Sequence, residues 1–129
     1  MGLARADLTL TNIFKKASIE ISALVETGAA HMCVTHAQAR QLGFDPEECV
    51  TQIVTLADGR QLEVPKIRPI EIAFANRTYA TEALVLGDEA LMGVLPLEAM
   101  DLIVDPRAQR VVVNPEHPNF PVTYAKGAT

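Results

Sequence analysis

One carboxylate in this chain stands where an acid could do hydrolytic work. The apolar run Ala23-Leu24-Val25 leads straight into Glu26-Thr27-Gly28-Ala29. An apolar strand ending on a carboxylate, then turning at glycine, places that acid at the mouth of a β-core. Gly28 lets the backbone turn sharply and approach a neighbour closely. The Thr27 hydroxyl can brace the loop against a backbone group of an adjacent or partner loop. Taken alone, the same residues also describe an ordinary strand end with an exposed glutamate. A second element sits far downstream: Leu84-Val85-Leu86, then Leu91-Met92-Gly93, an apolar-apolar-Gly step directly before a short helix.

Other chemistries find little support. Cys33 and Cys49 are sixteen positions apart with no C-x-x-C, so no zinc ligand set at close spacing is offered. Two free thiols fit a reducing compartment better than a disulfide does. His31 and His36 are separated by five positions, wrong for one helix face, and His117 lies between Glu116 and Pro118. All three histidines read as surface or structural groups. The only serines are Ser18 and Ser22, neither in a G-x-S-x-G elbow, which leaves a serine hydrolase without a nucleophile. Neither G-x-G-x-x-G nor G-x-x-x-x-G-K-[ST] occurs, so nothing predicts a nucleotide cofactor. No metal and no cofactor are expected.

The frame for this carboxylate is small. The chain has 129 residues, 49% hydrophobic and 5% aromatic, with 11 Lys plus Arg against 16 Asp plus Glu for a net charge of -5. That length allows one domain, residues 1–129, with a real core and no linker or repeat. The acidic balance without a Lys/Arg block argues against a nucleic-acid partner. No run approaches the ~20 apolar residues of a membrane span. The first residues show no signal-peptide pattern, and Ala6 stands where myristoylation wants Ser or Thr. A cytoplasmic protein without a membrane partner is the expectation.

The positioning elements read mostly as strands. Leu8 and Leu10 alternate with threonines, and Ile19, Ile21, Ala23 and Val25 alternate with Glu20 and Ser22, two period-2 segments. A brief apolar piece follows at Met32 to Val34. Thr35 and Gln38 have the capping-box form, opening a helix of roughly two turns that ends at Gly43. One hairpin pairs Val50–Leu56 with Arg60–Val64 around Asp58-Gly59. A second pairs Ile67–Phe74 with Tyr79–Leu86 around Ala75 to Thr78, with Pro65 and Pro69 confined to strand starts, edges or bulges. A second helix spans Leu95 to Met100. Leu102–Val104 then pairs with Arg110–Asn114 across Asp105-Pro106. The Pro-rich tail, residues 115–129, is expected to be extended rather than packed.

This order of elements resembles the retropepsin-like aspartic peptidases: apolar strand with Asp-Thr-Gly-Ala, flap hairpin, apolar-apolar-Gly, short helix, closing strands. The likeness runs from about Ile19 to Pro115. Ala23–Ala29 and Met100-Asp-Leu-Ile-Val-Asp-Pro106 look most like the small bacterial members. The resemblance implies an all-β fold, a retropepsin-like acid-protease β-barrel with one or two short helices, assembled as a homodimer. It also implies an aspartic-type endopeptidase that cuts a peptide or protein substrate held in extended conformation. Carried over residue by residue, the catalytic motif falls on Glu26, Thr27 and Gly28. Substrate-binding positions fall on Ala29, on Asp58 and Gly59 at the flap tip, and on Met92 and Gly93.

One departure matters for activity. The family's catalytic aspartate aligns with Glu26. In that family two aspartates, one from each half of a twofold site, share a proton and activate water; the aspartic-protease dyad is the standard case of like charges splitting their proton affinities. Glutamate keeps the acid–base capability but pushes each carboxylate outward by roughly a C–C bond length, ~1.5 Å. On a symmetry axis the pair must clash, splay or bend, and ~1 Å of misplacement can cost on the order of 10²-fold in rate. The expectation is a folded site with weak or absent peptidase activity. With one motif per chain, the pair requires C2 symmetry. Leu8–Thr11 and Arg110–Asn114 are the candidate terminal strands for sealing the dimer, the latter equally readable as an internal strand. Two other readings remain open: a non-catalytic dimeric β-module that binds an extended peptide in the same groove, and a monomeric β-domain in which Glu-Thr-Gly-Ala is accidental.

Overall fold

The computed structural model describes residues 3–126. Strands dominate it: β1 (Arg5–Asn12), β2 (Ser18–Val25), β3 (Met32–Val34), β4 (Thr51–Thr55), β5 (Gln61–Phe74), β6 (Arg77–Val85), β7 (Leu91–Met92), β8 (Leu102–Asp105) and β9 (Arg110–Val113). Two six-residue helices interrupt them, α1 (His36–Gln41) and α2 (Val94–Ala99). The sheet order is β4-β5-β6-β3-β7-β2-β1-β9-β8, and β1 also pairs with β5. That extra pairing closes β5, β6, β3, β7, β2 and β1 into a ring. The fold is therefore a small β-barrel with β4 attached at one side and the β8–β9 hairpin at the other.

Alternation in the sequence becomes inside and outside of this ring. Ala6, Leu8 and Leu10 of β1 point inward and are almost fully buried, as are Ile70 and Ile72 of β5, Met32 and Val34 of β3, and Ala83 and Val85 of β6. Met92 and Met100 fill the remaining space with no exposed surface, a use suited to unbranched side chains in irregular gaps. Thr35 caps α1 as its residue type dictates. Its hydroxyl accepts from the Gln38 N–H at 3.1 Å, and the Gln38 side chain accepts from the Thr35 N–H at 3.0 Å. Gly43, just past the helix, takes φ +85°, a left-handed conformation that favours glycine.

Three expectations are corrected. Arg60–Val64 and Ile67–Phe74 are not separate strands; β5 runs unbroken through both prolines. Pro65 pairs with Thr51 near the start of the β4–β5 ladder, and Pro69 lies in a register shift between Ile67 and Ile70, where a missing N–H costs no ladder bond. The turn before β6 is tighter than expected, because Arg77 already pairs with Phe74. The tail has no regular structure up to Lys126 yet is anchored. Asp101 accepts from the Val122 N–H at 3.0 Å, lies 2.6 Å from His117 Nδ1, and accepts from the Asn114 amide at 3.1 Å. Asn76 donates to the Pro118 and Asn119 carbonyls, and the buried Arg77 donates to the His117 carbonyl. Residues 127–129, the end of the predicted tail, lie outside the described residues.

Candidate active site

The loop carrying Glu26 is held by a strand from much later in the chain. β7 runs parallel to β2, with Leu24 beside Leu91 and Val25 beside Met92, and also meets β3 at Cys33. It thus threads between the two strands that the Glu26 loop connects. The Glu26 N–H donates to the Met92 carbonyl at 3.0 Å. Beyond Gly93, the Val94 N–H donates to the Ala29 carbonyl at 2.9 Å and the Leu95 N–H to the Ala30 carbonyl at 3.0 Å. The first amides of α2, which lack helical partners of their own, are therefore spent on the loop.

Gly93 is where this crossing is tightest. A Cβ there would lie 2.5 Å from both the Ala30 carbonyl carbon and the His31 carbonyl oxygen. No side chain fits against backbone at that distance. The apolar-apolar-Gly step is legible as a motif because only glycine lets β7 pass under the loop.

Glu26 itself is exposed and bends back on its own loop. Its Oε1 accepts from the Gly28 N–H at 3.0 Å, and the loop closes with the Ala29 N–H donating to the Glu26 carbonyl at 3.1 Å. A Cβ on Gly28 would sit 3.1 Å from that same Oε1. The longer acid thus spends one carboxylate oxygen on a local contact. Thr27 is exposed, and its hydroxyl has no hydrogen bond among the described residues.

The expected substrate-binding residues fall in three places. Asp58 and Gly59 stand exposed at the tip of the β4–β5 hairpin, whose turn is closed by the Leu56 N–H donating to the Arg60 carbonyl at 2.7 Å. Gly59 has φ +88° and nothing within 4 Å of where a Cβ would be. The Arg60 backbone N–H, and then its guanidinium at 2.7 Å, hold the Asp58 carboxyl below the usual carboxylate range. Met92 and Gly93, by contrast, are buried, Met92 with 0% exposure. Their place is beneath the Glu26 loop, which the Met92 carbonyl holds through the Glu26 N–H; an alternating strand buries one residue of each pair, and here it buries Met92. Ala29 is half-buried with both backbone groups occupied.

Both cysteines are free thiols. Burial pushes the Cys33 thiol up, and burial with Asp45 and Glu48 nearby does the same for Cys49. Among the described residues, no three His, Cys, Asp or Glu side chains cluster to hold a metal. No helix there is long and apolar enough to cross a membrane. A concavity of about 620 Å³ lies between α2 and the tail, with Tyr79, Leu97, Asp101 and Val122 among its walls, and does not include Glu26.

Comparison with known proteins agrees with this geometry. A retropepsin-like aspartic protease from Rickettsia conorii superimposes with a TM-score of 0.56 at 19% identity, covering 81% of this chain and 83% of that one. At that identity the match establishes the fold. No curated protein matches the sequence. The family model described as aspartyl protease matches residues 13–98, from the turn after β1 through the Glu26 loop, the hairpin and β7 into α2. With most of its length under that match, the chain belongs to the aspartyl protease family.

Proposed function

We propose that this chain is one half of a dimeric aspartic-type endopeptidase whose carboxylate pair is Glu26 and its symmetry mate, with turnover weakened by the longer side chain. One observation carries the reading: an exposed carboxylate on a loop clamped from both sides by β7 and the first amides of α2. The backbone is held at Glu26, Ala29 and Ala30 while the Glu26 side chain stays exposed. Fixation is what acid–base work on a bound substrate demands.

In the proposed reaction an extended peptide lies between the two Glu26 loops and the paired β4–β5 hairpins, which act as flaps, held by backbone hydrogen bonds. One Glu26 carboxylate takes a proton from water as the water oxygen attacks the scissile carbonyl carbon. The protonated Glu26 of the other subunit gives its proton to the carbonyl oxygen, which yields a tetrahedral diol. The C–N bond then breaks as the first carboxyl gives its proton to the amide nitrogen and a diol hydroxyl returns a proton to the second carboxylate, releasing an amine and a carboxylic acid. Each carboxyl works as both acid and base. Thr27, whose hydroxyl has no hydrogen bond among the described residues, would brace the loop across the axis.

The bent Glu26 side chain favours a second reading, a dimeric β-module that binds an extended peptide in the same groove without cutting it. An oxygen committed to the Gly28 N–H is less available for water. Cleavage of a peptide library across pH 3–7 separates the two. The peptidase reading expects slow acid-range cleavage that Glu26→Ala abolishes and Glu26→Asp raises by about 10²-fold, the value of ~1 Å in placement. Peptide binding that survives Glu26→Ala, with no turnover in either the parent or Glu26→Asp, would establish the binding module instead.

A further inference from the structure

Helix α2 is too short to hold itself in place. It has six residues, and a helix of that length is not stable alone in water. Its sequence supplies little help: Gly93 makes no side-chain cap, no acid stands in the first turn and no base in the last. The first two amides leave the helix altogether. Those of Val94 and Leu95 go to the Ala29 and Ala30 carbonyls, and Pro96 has none to give. The hold on the Glu26 loop therefore depends on what fixes the other end of α2, about 9 Å away.

That end is fixed at Asp101. This residue directly follows Met100, the C-cap of α2, and takes φ +54°, a left-handed conformation that aspartate adopts more readily than most residues. Its N–H donates to the Glu98 carbonyl at 3.1 Å, and its carbonyl accepts from the Asn114 N–H at 3.2 Å. Its carboxylate, 13% exposed, accepts from the Asn114 amide and the Val122 N–H and meets His117 Nδ1. The last turn of α2 is thereby tied to residues 114–122. Those residues are in turn fastened to the barrel, through Asn76 on the Pro118 and Asn119 carbonyls and through buried Arg77 on the His117 carbonyl. The concavity between α2 and residues 122–124 leaves a gap along the flank of the helix, so the tail grips α2 at Asp101 rather than by close packing along its length.

We propose that Asp101 is a positioning residue for the Glu26 site and that the tail is its brace: by pinning the C-terminal end of α2, Asp101 keeps the Val94 and Leu95 amides on the loop that carries Glu26. Asp101 touches neither substrate nor the reacting carboxylate. It acts through a helix so short that slack at one end reaches the other. The inference deepens the peptidase reading above and rests on it for what the held loop does.

The test is native-state amide exchange on the full chain at pH 6, comparing the parent with Asp101→Gly and Asn76→Ala. Glycine takes a positive φ without strain, so Asp101→Gly removes the side-chain contacts and spares the backbone. Asn76→Ala loosens the tail at the barrel and leaves the Asp101 contacts in place. The readout is the exchange rate of the Val94 and Leu95 amides relative to that of Ile72, which is fully buried in the barrel. In Asp101→Gly that ratio should rise by about 10-fold, the value of one lost hydrogen bond to a charged group. In Asn76→Ala it should stay within about twofold. A role in overall stability alone would speed all three amides together, so a ratio that rises less than about 3-fold in Asp101→Gly would overturn the brace. Should Asp101→Gly not fold, Asp101→Asn, which keeps one acceptor oxygen, is read against the same threshold. A kinetic measurement uses the Glu26→Asp chain. Adding Asp101→Gly to it should lower kcat by about 10-fold or more with KM nearly unchanged, as misplacement of a reacting group does. A raised KM with kcat unchanged would overturn the positioning role. Absence of any cleavage by the Glu26→Asp chain would overturn the peptidase reading, while the exchange ratio still decides the brace.

Discussion

Replacing Gly93 by alanine is the sharpest probe of how the Glu26 loop is held. The new methyl would meet the Ala30 carbonyl carbon and the His31 carbonyl oxygen at 2.5 Å and the Ala30 carbonyl oxygen at 2.6 Å, against ordinary contact from 3.4 Å. All three are backbone atoms, so β7 and the loop must part by about 1 Å. The Val94–Ala29 and Leu95–Ala30 bonds, now 2.9 and 3.0 Å, would stretch beyond hydrogen-bonding range. Overpacking of this kind costs ~1–3 kcal/mol, and two lost backbone bonds add about 1 kcal/mol each. The sum, roughly 3–5 kcal/mol, is a large part of a typical domain's stability and should lower Tm by about 10 °C or more at this size. Gly28→Ala is the matched control, because its Cβ meets only the mobile end of Glu26 at 3.1 Å; its Tm should fall by less than a third as much. Thermal and urea unfolding followed by circular dichroism give both values. If Gly93→Ala melts within about 3 °C of the parent, the clamp described here does not exist.

Two further outcomes follow from the tail and the hairpin. Folding holds the Asp101 carboxyl below its ordinary value, chiefly through the Val122 N–H, then the Asn114 amide and His117. Ionised Asp101 therefore favours the folded state above about pH 4, and that contribution disappears as pH falls through the lowered value. Limited proteolysis should accordingly cut residues 115–126 faster at pH 3 than at pH 6 in the parent. In Asp101→Asn the cutting should already be fast at pH 6; equal rates for parent and variant at pH 6 would show that Asp101 does not anchor the tail. In the hairpin, Gly59→Ala meets no neighbour but must adopt φ +88°, so it should cost about 1 kcal/mol. Amide exchange should show that loss in the 51–63 arm alone; unchanged exchange there would mean the turn tolerates alanine freely.

Much of this arrangement was legible before any coordinates, for local reasons. Alternation in Leu8–Leu10 and Ile19–Val25 marked β1 and β2 because one side of each faces the barrel interior. Thr35 and Gln38 announced α1 because their caps are made within four residues. Glu26-Thr27-Gly28 and the Leu91-Met92-Gly93 step could be paired only through resemblance to a family, since nothing local says that β7 threads under a loop so distant in sequence. What stayed hidden was set by tertiary context. Pro65 and Pro69 look like strand breaks, yet the edge pairing of one and the bulge around the other let β5 pass through. Arg77 looks like a turn residue, yet it is fully buried beneath the tail with Nε and Nη1 unpartnered among the described residues. Asp101 gives no sign in sequence of the three partners, Asn114, His117 and Val122, that reach it from the residues after β9. Arg110–Asn114 could be read as an internal strand or as a terminal one, and only the ladder with β8 shows its place in the protomer.

The central claim is that catalysis needs one acid from each of two chains. Mixing the Glu26→Asp chain with the Glu26→Ala chain, unfolding and refolding them together, and measuring peptide cleavage tests it directly. If each active site draws one carboxylate from each subunit, activity falls as the square of the Glu26→Asp fraction, to roughly one quarter in an equimolar mixture. Activity that falls only in proportion, to about one half, would mean that each chain works alone and that the shared pair is wrong.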